Sequence, residues 1–176
     1  MRVGLDTSFD YNERVLYVCI IIVRDGNALR MIIDTLRKAL RRTRLHFRKL
    51  SRTEKTRVLR MLENILSSYS KDVLIRIIKL KRLKGTNRFS KYAYIERIIS
   101  YICTRSPFSI STVVVPSDLN TGSYRFCEAI SRRLGDTFTV YEDDSHDLIQ
   151  LADFVVNWYR KTKRMLDNMS VIEHQC

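Results

Sequence analysis

The sequence predicts a single α/β domain built on a mixed sheet that opens with an antiparallel hairpin and is flanked by helices. Three observations carry this. Short β-branched runs alternate with amphipathic helical periods along the chain, the pattern of a sheet covered by helices. The first two strand patterns are separated by too few residues for a parallel crossover, so they pair as a hairpin. The 176 residues are 45% apolar with only five Gly and two Pro, which fills one core and leaves no linker, so residues 1–176 read as one domain.

Taken in order, Arg2 to Asp6 reads as a first strand and Val15 to Val23 as a second, with Thr7 to Arg14 supplying the Ser, Asp and Asn that suit a turn. Asn27 caps a helix whose apolar positions Leu29, Ile32, Ile33, Leu36 and Leu40 recur at helical spacing. Ser51 and Glu54 have the spacing of a capping box, and Val58, Leu62, Ile65 and Leu66 continue the period behind it. Val73 to Leu80 is β-branched and reads as a strand, followed by a helix from Ser90 to Cys103. Ile110 to Val115 is a buried strand ended by Pro116, and Tyr124 to Leu134 a helix closed by Gly135. Thr137 to Glu142 alternates like a half-buried strand near an edge, and a last helix runs from His146 to Met165. The order is β-β-α-α-β-α-β-α-β-α.

Charge narrows the partner. Lys and Arg exceed Asp and Glu by 32 to 19, a net charge of +13, which speaks about partners rather than fold. Eleven bases and one acid, Glu54, lie between Arg37 and Arg60, and six bases and no acid lie between Lys79 and Lys91. Eight carboxylates and three arginines lie between Ser117 and Asp153. Cations apart from a carboxylate cluster suit a protein that grips a phosphate backbone and holds metal ions beside it. The first candidates for that grip are Arg37, Arg41, Arg44, Arg48 and Lys49, then Lys81, Arg82 and Lys84.

Other classes are disfavoured. The longest apolar run, Val15 to Val23, is half the length that spans a bilayer, so no membrane is expected. No charged-then-apolar leader opens the chain, and the cytosol is the expected compartment. Cys19, Cys103, Cys127 and Cys176 have no Cys-x-x-Cys spacing and read as reduced thiols rather than a zinc or redox motif. Tyr11, Tyr92 and Tyr124 are aromatic enough to stack bases, but as isolated residues they receive no role.

In sheets with crossover helices, sites gather beyond the carboxyl ends of strands, and Asp6 and Asp118 each follow a strand. His146, Gln150, Asp153 and Asn157 are spaced 4, 3 and 4 residues apart, one polar stripe on an otherwise apolar helix. Asp153 therefore joins Asp6, Asp118 and the Glu142, Asp143, Asp144 cluster as a candidate carboxylate.

The motifs Gly4-Leu5-Asp6-Thr7-Ser8, Arg44-Leu45-His46-Phe47 and Asp144-Ser145 followed by Ile149-Gln150-Leu151-Ala152-Asp153 extend this reading. The chain resembles an RNase H-like family catalogued as domain of unknown function thirty-eight hundred. Its members open on Asp-Glu-Ser-Gly, carry Glu-Leu-His-Phe and end on Leu-Gln-Leu-Ala-Asp. The resemblance implies an RNase H-like fold and a metal-dependent nuclease acting on DNA or RNA. It further implies Asp6, Asp118 and Asp153 as catalytic metal ligands with Asp144 and His146 beside them, and His46 near the same site. Oxygen ligands suit a pair of Mg²⁺ or Mn²⁺ ions. Thr7 and Arg44 stand where the family has Glu. An inactive nucleic-acid-binding descendant, and a basic interaction protein of a defence or mobile-element complex, are the alternatives. A homodimer or such a larger complex is the assembly expected.

Overall fold

The apolar run Val15–Val23 forms β2, and it pairs antiparallel with β1 (Arg2–Asp10) along its whole length, from Arg2 opposite Val23 to Asp10 opposite Val15. The structure is a computed structural model describing residues 1–81, 111–117, 139–143 and 145–175. Next in the chain come α1 (Gly26–Leu40), a 3₁₀ turn (Phe47–Lys49), α2 (Arg52–Ser68) and β3 (Val73–Lys81). Then follow β4 (Thr112–Val115), β5 (Thr139–Glu142), the helix designated α3 (Asp147–Thr162) and β6 (Met169–Gln175). The six described strands form one sheet in the order β5-β4-β1-β2-β3-β6. The pairs β1·β2 and β2·β3 are antiparallel; β1·β4, β4·β5 and β3·β6 are parallel.

The hydrophobic core lies between this sheet and the three described helices. Tyr17, Cys19 and Ile21 of β2 meet Ile32 and Leu36 of α1, Val58 and Leu62 of α2, and Phe154 and Trp158 of α3. Val18, Ile20 and Ile22, on the opposite face of β2, are buried as well, which is why this strand reads as an unbroken apolar run. Every residue of α3 from Leu148 to Tyr159 is buried, so its apolar circumference is explained by burial on all sides.

One close approach sets the position of α3. A Cβ built on Gly4 falls 2.4 Å from Leu148 Cβ and 3.0 Å from the Leu148 carbonyl carbon, so only glycine lets the helix lie this near β1. Ser8 Oγ donates to Asn157 Oδ1 at 3.3 Å at the other end of the same strand face. Four strand residues and nine helical residues each cover about 13 Å. The helix thus runs level with the strand, and Asp153 comes abreast of Asp6 between those two contacts.

Several boundaries differ from the sequence expectation. β1 continues past Asp6 to Asp10, because the ladder to β2 outweighs the turn propensity of Ser8 and Asp10, and the turn is confined to Tyr11–Arg14. Asp6 is therefore in mid-strand rather than beyond a strand end. Asp25, not Asn27, caps α1, its carboxylate accepting from the Asn27 N–H at 2.9 Å. The last helix stops at Thr162 rather than Met165, since Lys163 turns left-handed at φ 54° and its N–H bonds the Tyr159 carbonyl. β6 follows it, a strand absent from the expected order. The capping box is present in full, with Ser51 and Glu54 each bonding the other's backbone N–H. β5 lies at one edge of the sheet as expected. The helices expected at Ser90 to Cys103 and Tyr124 to Leu134 fall outside the described residues, as do Cys103, Cys127 and Cys176. Cys19 is a buried free thiol, pushed up in pKa by burial and secondarily by the Asp6 charge. No described helix is long and apolar enough to cross a membrane.

Candidate nucleic-acid cleft

Buried polar groups must find partners, and on α3 they find them in the segment that joins α1 to the 3₁₀ turn. Gln150 Oε1 accepts the Leu45 N–H at 2.9 Å, and its Nε2 donates to the Ser145 carbonyl. Asp153 Oδ2 accepts the Phe47 N–H at 2.8 Å and the His46 ring at Nδ1 at 2.9 Å. Asn157 Nδ2 donates to Asp153 Oδ1 at 2.8 Å. The polar stripe expected on this helix is thus real, and two of its side chains fasten the Leu45-His46-Phe47 loop to the core.

This arrangement lines a cleft of about 680 Å³. Its lining includes the carboxylates of Asp6, Asp143 and Asp153, with Asp153 only 7% exposed. It is also lined by the exposed Arg44, Arg48 and Lys49, and by His46, whose side chain is 48% exposed. Arg42 also lines the cleft, but its guanidinium is engaged by Glu54 through a fork at 2.9 and 3.2 Å. The Ser145 hydroxyl bonding Asp143 holds that carboxyl below its usual pKa.

Other expected site residues stand elsewhere. His146 caps α3, its Nδ1 accepting the Leu148 N–H at 3.1 Å, and burial lowers its pKa. Arg37 does not line the cleft: it reaches Asp147 at 2.6 Å and joins α1 to α3. Lys81 pairs with Glu173 of β6 at 3.1 Å. Arg41 is exposed at the end of α1 with φ 52°. Asp118, Asp144, Arg82 and Lys84 lie outside the described residues. Sequence reading gave no role to Gln150 beyond the stripe, although its spacing with Asp153 was the signal that the two act together.

Comparison with known proteins was made on sequence and on structure. No protein-family profile and no curated protein matches the sequence. Among the solved structures that match the fold are two archaeal ribonucleases. Ribonuclease HII of Archaeoglobus fulgidus, solved in complex with PCNA, superposes with a TM-score of 0.59 over 93% of this chain and 73% of its own, at 14% identity. Ribonuclease H2 of Pyrococcus horikoshii OT3 gives 0.59 over 91% and 72%, also at 14% identity. The fold is RNase H-like. In this RNase H-like sheet the antiparallel β3-β2-β1 unit meets the parallel β4 and β5 at β1, the strand that carries Asp6. β6 extends the opposite edge.

Proposed function

We propose that this chain binds nucleic acid across the cleft and hydrolyses its phosphodiester bonds. The observation that supports it most is that one cleft is lined by the carboxylates Asp6, Asp143 and Asp153 and by the exposed cations Arg44, Arg48 and Lys49. Those cations hold backbone phosphates, which gives affinity without sequence preference. His46 donates from Nδ1 to Asp153, so in the neutral ring Nε2 is left as the acceptor, suited to take a proton from an attacking water. Asp153 fixes the ring's tautomer and orientation, a positioning role.

The described residues hold only part of the ligand set that a divalent metal would need, since Asp118 and Asp144 lie outside them. Among them no three His, Cys, Asp or Glu side chains are grouped to enclose an ion. Asp153 already accepts three N–H donors, leaving about one of its four acceptor sites. The two-ion Mg²⁺ or Mn²⁺ arrangement implied by the family resemblance needs Asp118 and Asp144 in addition to Asp6. The commitment of most of Asp153's acceptor sites to N–H donors favours a second reading, a binding protein that does not cut.

Cleavage of single- and double-stranded DNA, RNA and hybrid substrates, with Mg²⁺, with Mn²⁺ and in EDTA, separates these. Asp6→Asn and His46→Ala are expected to lower the cleavage rate by about 10²-fold or more, with affinity kept. Salt-sensitive binding by a wild type that cuts nothing with either ion establishes the second reading.

A further inference from the structure

Beside the cleft, and sharing Arg48 with it, lies a second groove of about 270 Å³. Cations from three elements meet there: Arg48 of the 3₁₀ turn, Lys55 of α2, and Arg160 and Lys161 of α3. No Asp or Glu lines it among the described residues. Lys161 Nζ stands 5.2 Å and Lys55 Nζ 5.9 Å from the centroid of the Phe47 ring. Burial, then the charges of Lys55 and Arg160, hold the Lys161 ammonium below its ordinary pKa, so this crowding is not offset locally. Arg160 is fixed by the Phe9 carbonyl and Asn157 Oδ1, both at 3.3 Å.

The hairpin supplies the other wall. Phe9 and Tyr11 meet edge to face at 4.8 Å, and Tyr11 is 82% exposed. Fold stability gives a poor account of this arrangement. Arg160 and Lys161 suit the carboxyl end of α3, but that does not draw in Lys55 and Arg48 from other elements. A tyrosine ring left mostly in water contributes little burial.

We propose that this groove carries the backbone phosphates of a single nucleic-acid strand leaving the cleft, with an unpaired base stacked on Tyr11. Cations that track a backbone beside an exposed aromatic face are what sequence-tolerant single-strand binding requires. A duplex keeps its bases stacked on one another and offers Tyr11 nothing. The inference rests on the nucleic-acid half of the proposed function and not on hydrolysis.

The test is fluorescence anisotropy with labelled oligothymidine, oligouridine and a duplex of equal length, in EDTA over a salt series. The double variant Lys55→Ala/Lys161→Ala is expected to reduce the slope of log affinity against log salt by about 1.4 for single strands, two contacts at about 0.7 each. Tyr11→Ala is expected to weaken single-strand binding about 5- to 150-fold, with duplex binding unchanged and Tyr11→Trp restoring affinity. Melting temperatures near wild type establish that the variants are folded. Unchanged slope and single-strand affinity in both variants overturn the proposal. So does an equal loss of duplex and polyglutamate binding, which marks the groove as a site for acidic proteins. Normal single-strand binding without cleavage overturns hydrolysis alone and leaves the groove standing.

Discussion

Gly4 shows how much one hydrogen atom in place of a side chain decides here. Gly4→Ala puts a methyl group 2.4 Å from Leu148 Cβ and 3.1 Å from the Leu148 carbonyl oxygen, so α3 must shift along its contact with β1. The expected cost is about 1–3 kcal/mol in urea denaturation, with weakened binding because Asp153 moves on the same helix. Gln150→Leu tests a different dependence. It leaves the Leu45 N–H without its acceptor in a buried position, and a loss of about 1–3 kcal/mol is expected by the same measurement. A variant as stable as wild type would mean that the loop finds another partner.

The helices carry two further expectations. Arg41 closes α1 in the left-handed region, which costs a non-glycine residue about 1–2 kcal/mol. Arg41→Gly should raise the melting temperature, since no ion pair of Arg41 among the described residues is lost. On α2, the Arg42 guanidinium beside Glu54 lowers that carboxyl from 4.5 to about 2. The stability this lends is full above pH about 4.5 and is lost as pH falls toward about 2. Glu54→Gln keeps the cap to Ser51, so the melting-temperature gap between wild type and variant should close over that window. The capping box was legible because its signal is local. So was β2, nine apolar residues in a row. The second half of β1 was not, because Ser8 and Asp10 have turn propensity and only the partner strand makes them extended. β6 was hidden for a similar reason: its parallel seat on β3 is long-range, and Met165 extended the helical period past the left-handed Lys163.

Across the whole molecule the +13 charge is divided rather than spread. Sequence reading found the basic stretch but not which of its members are committed to the fold, since Arg37 and Arg42 are assigned by carboxylates 110 and 12 residues away. Arg44, Arg48 and Lys49 remain on the cleft, and their triple reversal to Glu should weaken duplex binding and lower its salt slope by about 2 to 3. Full affinity with the wild-type slope would move the binding face elsewhere. The site itself was legible in part: the spacing of Gln150 and Asp153 marked a shared direction, while their fastening of a distant loop is a matter of tertiary packing. That fastening has a kinetic side. The Leu45 amide lies in a connection and the Phe47 amide at the first residue of the 3₁₀ turn, where it has no bond within the turn, yet both are bonded to side chains of the most enclosed helix in the described chain. Their deuterium uptake should therefore follow the slow opening of that helix and not the rapid exchange of a surface connection, so that what looks like a loop behaves, in time, as part of the core.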